Sequence, residues 1–189
     1  MERSANPPLA ARLVGGDDDL ASAISQALVA DGARIVDGPA NDHPGGLDIL
    51  IFIAPEGAGG PIAKTTGADF SSQVGASLLA AFLALQSGVS AMRAKGDGGS
   101  VVFVAPPART RRAFDALTQG LRLVTKAAAL ELGPEKIRVN IVLPGNGENP
   151  LGRPRAPAEI AAAVAFAASG RSQFMTGADL VLDGGAQAQ

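Results

Sequence analysis

The sequence predicts an α/β domain built on a buried parallel sheet, and three observations predict it. First, two short runs, Asp48–Ile53 (DILIFI) and Ser100–Val104 (SVVFV), are apolar almost throughout. That is the pattern of strands covered on both faces. Second, apolar residues return every three or four positions along 70–95 and 111–132, a helix period sustained for several turns of ~3.6 residues. Third, strand and helix patterns alternate along the chain, which reads as repeated strand–helix–strand units.

Taken in order, Ala11–Val14 is a brief first strand and Ala33–Val36 a second. Between them Leu20, Ile24, Leu28 and Val29 form an expected helix face. Gly38–Gly46 (GPANDHPGG) is a loop of nine residues, able to cross ~30 Å when extended but too short for a helix plus a strand. It holds the only histidine, His43, read as an exposed loop residue rather than a catalytic one. The strand at 48–53 comes next, then a flexible Gly57–Gly60 segment. The helix 70–95 carries Val74, Leu78, Phe82, Leu85, Val89 and Met92 on one face and Ala76, Ala80, Ala84 and Gly88 on the other. A helix apolar on both sides is buried on both sides, so one face is expected on the sheet and the other against a second subunit. After the strand 100–104, the helix 111–132 presents Phe114, Leu117, Leu121, Val124, Ala128 and Leu132, and Gly133-Pro134 stops it. Arg138–Leu143 is the next strand, closed by Pro144-Gly145. Residues 147–157 (GENPLGRPRAP) contain three prolines and read as an extended connector. Ala158–Ala168 is the last helix and Ala178–Leu182 the last strand.

The 189 residues suffice for one domain, 1–189, with a full core. A net charge of −2 leaves no electrostatic footprint for nucleic acid. With no cysteine, disulfides and thiolate metal sites are excluded, which fits a cytoplasmic protein. No uninterrupted run of ~18 apolar residues is present, so no membrane span is expected, and MERSANPPLA has no apolar signal core.

The stretch LVTKAAALELGPEKIRVNIVLPG, together with the later Thr176-Gly177 and Asp183-Gly184-Gly185, resembles the short-chain dehydrogenase/reductase family in order and spacing. The resemblance implies a Rossmann-like, doubly wound parallel sheet. Here it would be trimmed, with the third strand and its helix missing and about six strands left. It also implies a Tyr-x-x-x-Lys pair on the helix at 111–132. Aligned on ALEL, Phe114 stands at the tyrosine and Thr118 at the lysine. The chain contains no tyrosine at all, and phenylalanine has no proton to donate. The family's serine falls near Ala105-Pro106, neither with a side-chain donor, and its asparagine falls on Ser77. No catalytic residue is therefore expected, only the altered positions Ser77, Pro106, Phe114 and Thr118.

In the family the first turn is Gly-x-x-x-Gly-x-Gly, which seats a pyrophosphate on helix N–H groups. Here those positions are Gly15, Asp19 and Ala21, with Asp17-Asp18-Asp19 in the intervening sequence. Like charges repel, so three carboxylates oppose two phosphates. The acids read best as helix caps. A displaced cofactor pose is the next reading, and a metal site the last, because adjacent residues do not converge on one ion. Pro55 also replaces part of the family's Asn-Asn-Ala-Gly after the strand at 48–53.

What remains is the sheet core, the two long helices and the final helix–strand unit, the parts that build subunit contacts in the family. The resemblance thus implies a catalytically inactive subunit that stabilises an active paralogue holding NAD or NADP. A heterotetramer through helices 70–95 and 111–132 and strand 178–182 is expected. Such pairings occur in the family, as in the hydroxyacyl-CoA dehydrogenase of the benzylsuccinate pathway and in 3-oxoacyl carrier-protein reductases. A hydroxyacyl-CoA type of substrate is the corresponding expectation, with the tail from Gly184 reaching toward the partner's pocket. Two alternatives are a homo-oligomeric binding or regulatory module and a cofactor-free enzyme using Arg111, Arg112, Asp115, Thr118 and Gln119.

Overall fold

The computed structural model describes residues 8–38, 45–56, 61–107, 115–145 and 149–188. Six strands, β1 (Ala10–Gly15), β2 (Arg34–Ile35), β3 (Ile49–Ile53), β4 (Gly99–Val104), β5 (Ile137–Pro144) and β6 (Asp179–Leu182), form one sheet in the order β2-β1-β3-β4-β5-β6. Every adjacent pair is parallel. Strand order reverses at β1, so the carboxyl ends of β1 and β3 flank the switch point where ligands of such sheets bind. β2 is an edge, as expected of a sheet whose next strand is missing.

Alternation along each strand divides the core into two layers. Ile49, Ile51, Ile53, Val102, Val104 and Val142 face helices α1 (Asp18–Ala30) and α4 (Pro157–Ala168), which also pack on each other. Leu50, Phe52, Val101, Phe103, Val139 and Ile141 face helices α2 (Gly67–Lys95) and α3 (Asp115–Leu132). Both layers must be covered, which is why β3 and β4 carry no polar face except Ser100.

Two expected helix faces are corrected. Val29 is 54% exposed, while Ile24 and Leu28 alone fill the buried row of α1. In α2, Phe82 is 51% exposed and Ala81 is buried in its place; Ala76 and Ala80 are exposed as well. The buried stripe runs through Val74, Ser77, Ala81, Ala84, Leu85, Gly88, Val89 and Met92, between the two faces the periodicity suggests. Its cause is a close approach to the sheet. A Cβ on Gly88 would lie 2.7 Å from Leu50 Cδ2, so the helix seats its small residues on β3 and turns Leu79, Phe82 and Leu83 outward. A π-helical turn at Ser71–Gly75 adds a residue near the start of α2 and shifts the phase of the turns beyond it. By length and hydropathy alone α2 would pass for a membrane span, yet its inner stripe is packed in the domain.

α3 begins at Asp115 in the described residues; Arg111, Arg112 and Phe114 lie outside them, as does His43. Leu117, Leu121, Ala128 and Leu132 face the core as expected. The RVN triplet of β5 has a structural role. The half-buried Arg138 guanidinium donates to the carbonyls of Ala167, Ala168, Ser169 and Met175 and to the hydroxyls of Ser100 and Ser172. Asn140 donates to Met175 O and accepts from Ala178 N, both at 3.0 Å, so the end of α4 and the approach to β6 are tied to the sheet.

Candidate functional site

The first turn begins where β1 ends. Gly15 and Gly16 both have positive φ, +81° and +93°, and a Cβ on Gly15 would lie 2.3 Å from the carbonyl oxygen of Ile53. Only glycine fits there, which keeps the chain tight against β3. Asp17 is the N-cap of α1, and its Oδ1 accepts from Leu20 N at 2.8 Å. Asp19 is exposed in the first helical turn and Ala21 half-buried after it.

These residues do not fit a pyrophosphate. A phosphate at a helix N-terminus is held by the N–H groups of the first turn, and the chain already supplies Asp17 to one of them. A phosphate oxygen in its place would stand within a few ångströms of the Asp17 carboxylate, with repulsion of about 1 kcal/mol even at the dielectric of water. Asp19 adds a second negative charge to the same turn. The capping reading of the acids is thus the one the geometry carries for Asp17.

At the positions that the resemblance assigns to catalytic residues, the described side chains make contacts within the fold. Ser77 is 8% exposed and its hydroxyl donates to Gln73 O at 2.7 Å, within its own helix. Pro106 is buried just beyond β4. Thr118 is half-buried in the first turn of α3, on the neighbouring helix to Ser77: α2 and α3 meet where Gly120 lies under Leu78. Asp115 and Gln119 are exposed, and Gln119 accepts from Arg122 at 3.0 Å. Phe114, which the resemblance aligns with the family's tyrosine, falls outside the described residues. Among the described residues no group of three or more acidic or histidine side chains could hold a metal ion.

The structure does form a cleft of about 1070 Å³, and it lies elsewhere. It opens at the carboxyl ends of β5 and β6, between Gly145, the connector 149–155, the first turn of α4 and residues 182–186. Neither the first turn nor Ser77, Pro106 or Thr118 lines it. Arg153 makes a two-pronged pair with Glu159, at 3.0 and 2.6 Å. The same carboxylate accepts from Ala156 N at 2.7 Å, a capping contact at the start of α4. The Arg153 bonds first, and this N–H second, bring the Glu159 carboxyl down to about 2. Arg155 donates from Nε to Gly145 O at 2.8 Å. Asp183 accepts from Gly185 N and Gln187 N at 2.8 and 2.9 Å, folding the tail back. Gly184 and Gly185 then rest on Asn149 and Pro150 of the same chain.

The cleft has no signature in the sequence, because it joins Glu56, the stretch 145–160 and residues 182–186, which are distant in the chain. One local signal is legible: Pro157 with Glu159 two residues on is a helix-start pattern, and it places the Glu159 carboxylate beside the connector.

Comparison with known proteins places this architecture. The family model described as enoyl-(acyl carrier protein) reductase matches residues 30–148 and 146–187. Over 166 residues, 78% of the chain, it is 34% identical to a trans-4-hydroxycyclohexanecarboxylate dehydrogenase of Sinomonas cyclohexanicum. It is 31% identical over 158 residues, 75% of the chain, to a 3-alpha-(or 20-beta)-hydroxysteroid dehydrogenase of Mycobacterium bovis. The chain spans 63% and 61% of the length of these two curated relatives. The crystal structure of a short-chain type dehydrogenase/reductase from Mycobacterium marinum superposes with a TM-score of 0.86 over 96% of each chain, at 22% identity, a likeness of fold. With the sheet order, the two helical layers and a family model matching most of its length, the chain belongs to the short-chain dehydrogenase/reductase family.

Proposed function

We propose that this chain is a non-catalytic member of its family of oxidoreductases, working as a subunit beside a catalytically complete paralogue that carries NAD or NADP. The observation behind the reading is the first turn, where Asp17 takes the helix N–H that a pyrophosphate would need. The absence of any tyrosine from the sequence supports it, since no alternative alignment restores the family's proton donor. The outward apolar side chains of the two long helices supply an association face: Leu79, Phe82 and Leu83 of α2 and Leu123 and Leu130 of α3 are all more than half exposed. Two chains of common ancestry carry matched patches of this kind, and closed symmetry then favours a dimer of dimers. The expected partner reaction is oxidation of a secondary alcohol or the reverse. Relatives named for a cyclic hydroxy acid and for hydroxysteroids support that class, and a hydroxyacyl-CoA remains a candidate from the family resemblance.

A homo-oligomeric binding module is the second reading, favoured by the cleft beside Arg155. Titration of the purified chain with NAD(H) and NADP(H) by calorimetry tests both against a working enzyme. No heat of binding is expected for either coenzyme. Saturable micromolar binding, or turnover of an alcohol or ketone by this chain alone, would overturn the proposal. Co-expression with a complete paralogue then separates the two readings, a mixed tetramer favouring the first and a stable homotetramer the second.

A further inference from the structure

We propose that the cleft at the carboxyl ends of β5 and β6 binds a small organic monocarboxylate, clamped end-on by Arg155. Arg155 is half-buried in the cleft wall, and its Nε is fixed on Gly145 O at 2.8 Å. That bond holds the guanidinium plane in place. Among the described residues, its two terminal nitrogens make no hydrogen bond. A fixed fork with two free donors matches the two oxygens of a carboxylate.

The other charges around the cleft are already committed or screened. Arg153 and Glu159 neutralise each other through two bonds. Each oxygen of Asp183 accepts a main-chain N–H of its own turn. Glu56 is exposed at the rim, where water and salt screen it. Among the described residues, Arg155 is therefore the cleft's one cation with no carboxylate partner. The rest of the wall includes Leu151, Ile160 and Leu182, which suit an apolar body behind the carboxylate. A single guanidinium fork without a carboxylate partner, beside the carboxylates of Asp183 and Glu56 and an apolar wall, selects a monocarboxylate over a phosphate ester or a dianion. The inference does not rest on the subunit reading, since it concerns residues away from the first turn and from Ser77, Pro106 and Thr118.

The experiment compares benzoate with benzyl alcohol, similar in shape but not in charge, by calorimetric titration of the full chain. Benzoate is expected to bind at least about tenfold more tightly, and to slow modification of Arg155 by phenylglyoxal as followed by mass spectrometry. In Arg155→Gln the preference is expected to vanish, and in Arg155→Lys to shrink without disappearing. Equal affinity for the two compounds overturns the proposal. So does the absence of saturable benzoate binding up to about 10 mM. An unchanged preference in Arg155→Gln overturns it too. Should Arg155→Gln fail to fold, the wild-type preference and the protection of Arg155 still decide the matter.

Discussion

Replacing Asp17 by alanine separates a cap from a remnant of a ligand site. The Asp17 carboxylate satisfies Leu20 N at 2.8 Å at the start of a 13-residue helix, and the turn is exposed, so water can partly replace it. Loss of an N-cap costs about 0.5–2 kcal/mol, typically ~1. For a domain of this size ~1 kcal/mol lowers Tm by roughly 2–4 °C. Asp17→Asn keeps the accepting oxygen and removes the charge, so it should stay within about 1 °C of the parent. Thermal unfolding followed by far-UV circular dichroism measures both, and calorimetry with NAD(H) on the same samples should detect no coenzyme. The reasoning is refuted if Asp17→Ala leaves Tm unchanged, because no cap would then hold the turn, or if Asp17→Asn lowers Tm as much as Asp17→Ala does, because charge rather than capping would then hold it. It is also refuted if Asp17→Asn alone restores micromolar coenzyme binding, since that would leave the rest of the cradle intact.

The same geometry carries further expectations. Phe82→Asp combined with Leu123→Asp should dissociate any assembly formed through α2 and α3 while leaving the circular dichroism spectrum intact, because both side chains are outside the core; sedimentation velocity checks it, and an unshifted oligomer refutes that interface. Gly88→Val should destabilise the fold by about 1–3 kcal/mol, since its side chain meets Leu50, as chemical denaturation would show. Arg138→Ala removes donors from four carbonyls and two hydroxyls and should cost about 3 kcal/mol or more, measured the same way. Glu159 has its carboxyl lowered to about 2, so its contribution at the start of α4 is fully present above the ordinary carboxylate range. It is lost as pH falls from about 4.5 toward 2. Amide protection at the first turn of α4, taken relative to the intrinsic exchange rate at each pH, should fall across that window in the parent chain and not in Glu159→Gln.

Much of the character of the altered site is legible in the residues alone, because it concerns what side chains can do. Phenylalanine cannot donate a proton and proline cannot donate an N–H, wherever the backbone carries them. The strands 48–53 and 100–104 are equally plain, since a strand covered on both faces needs only to be apolar. Amphipathic surfaces are harder. Periodicity puts Phe82 and Leu85 on one face, but which edge of that face meets the sheet depends on Gly88 and Leu50, 38 residues apart. The tail shows the same limit: that Gly184 and Gly185 pack beside Asn149 and Pro150, some 35 residues earlier, is not written in its local pattern.

By itself, then, the sequence determined the fold class, the six strands and the lack of any tyrosine, because each is a property of local pattern or of residue chemistry. Only the tertiary structure decided that α2 shows Phe82 to solvent, and that Arg155 stands in a cleft with two free donors. Those facts depend on contacts between segments far apart in the chain, and the distance between such segments is set by packing, which no local pattern encodes.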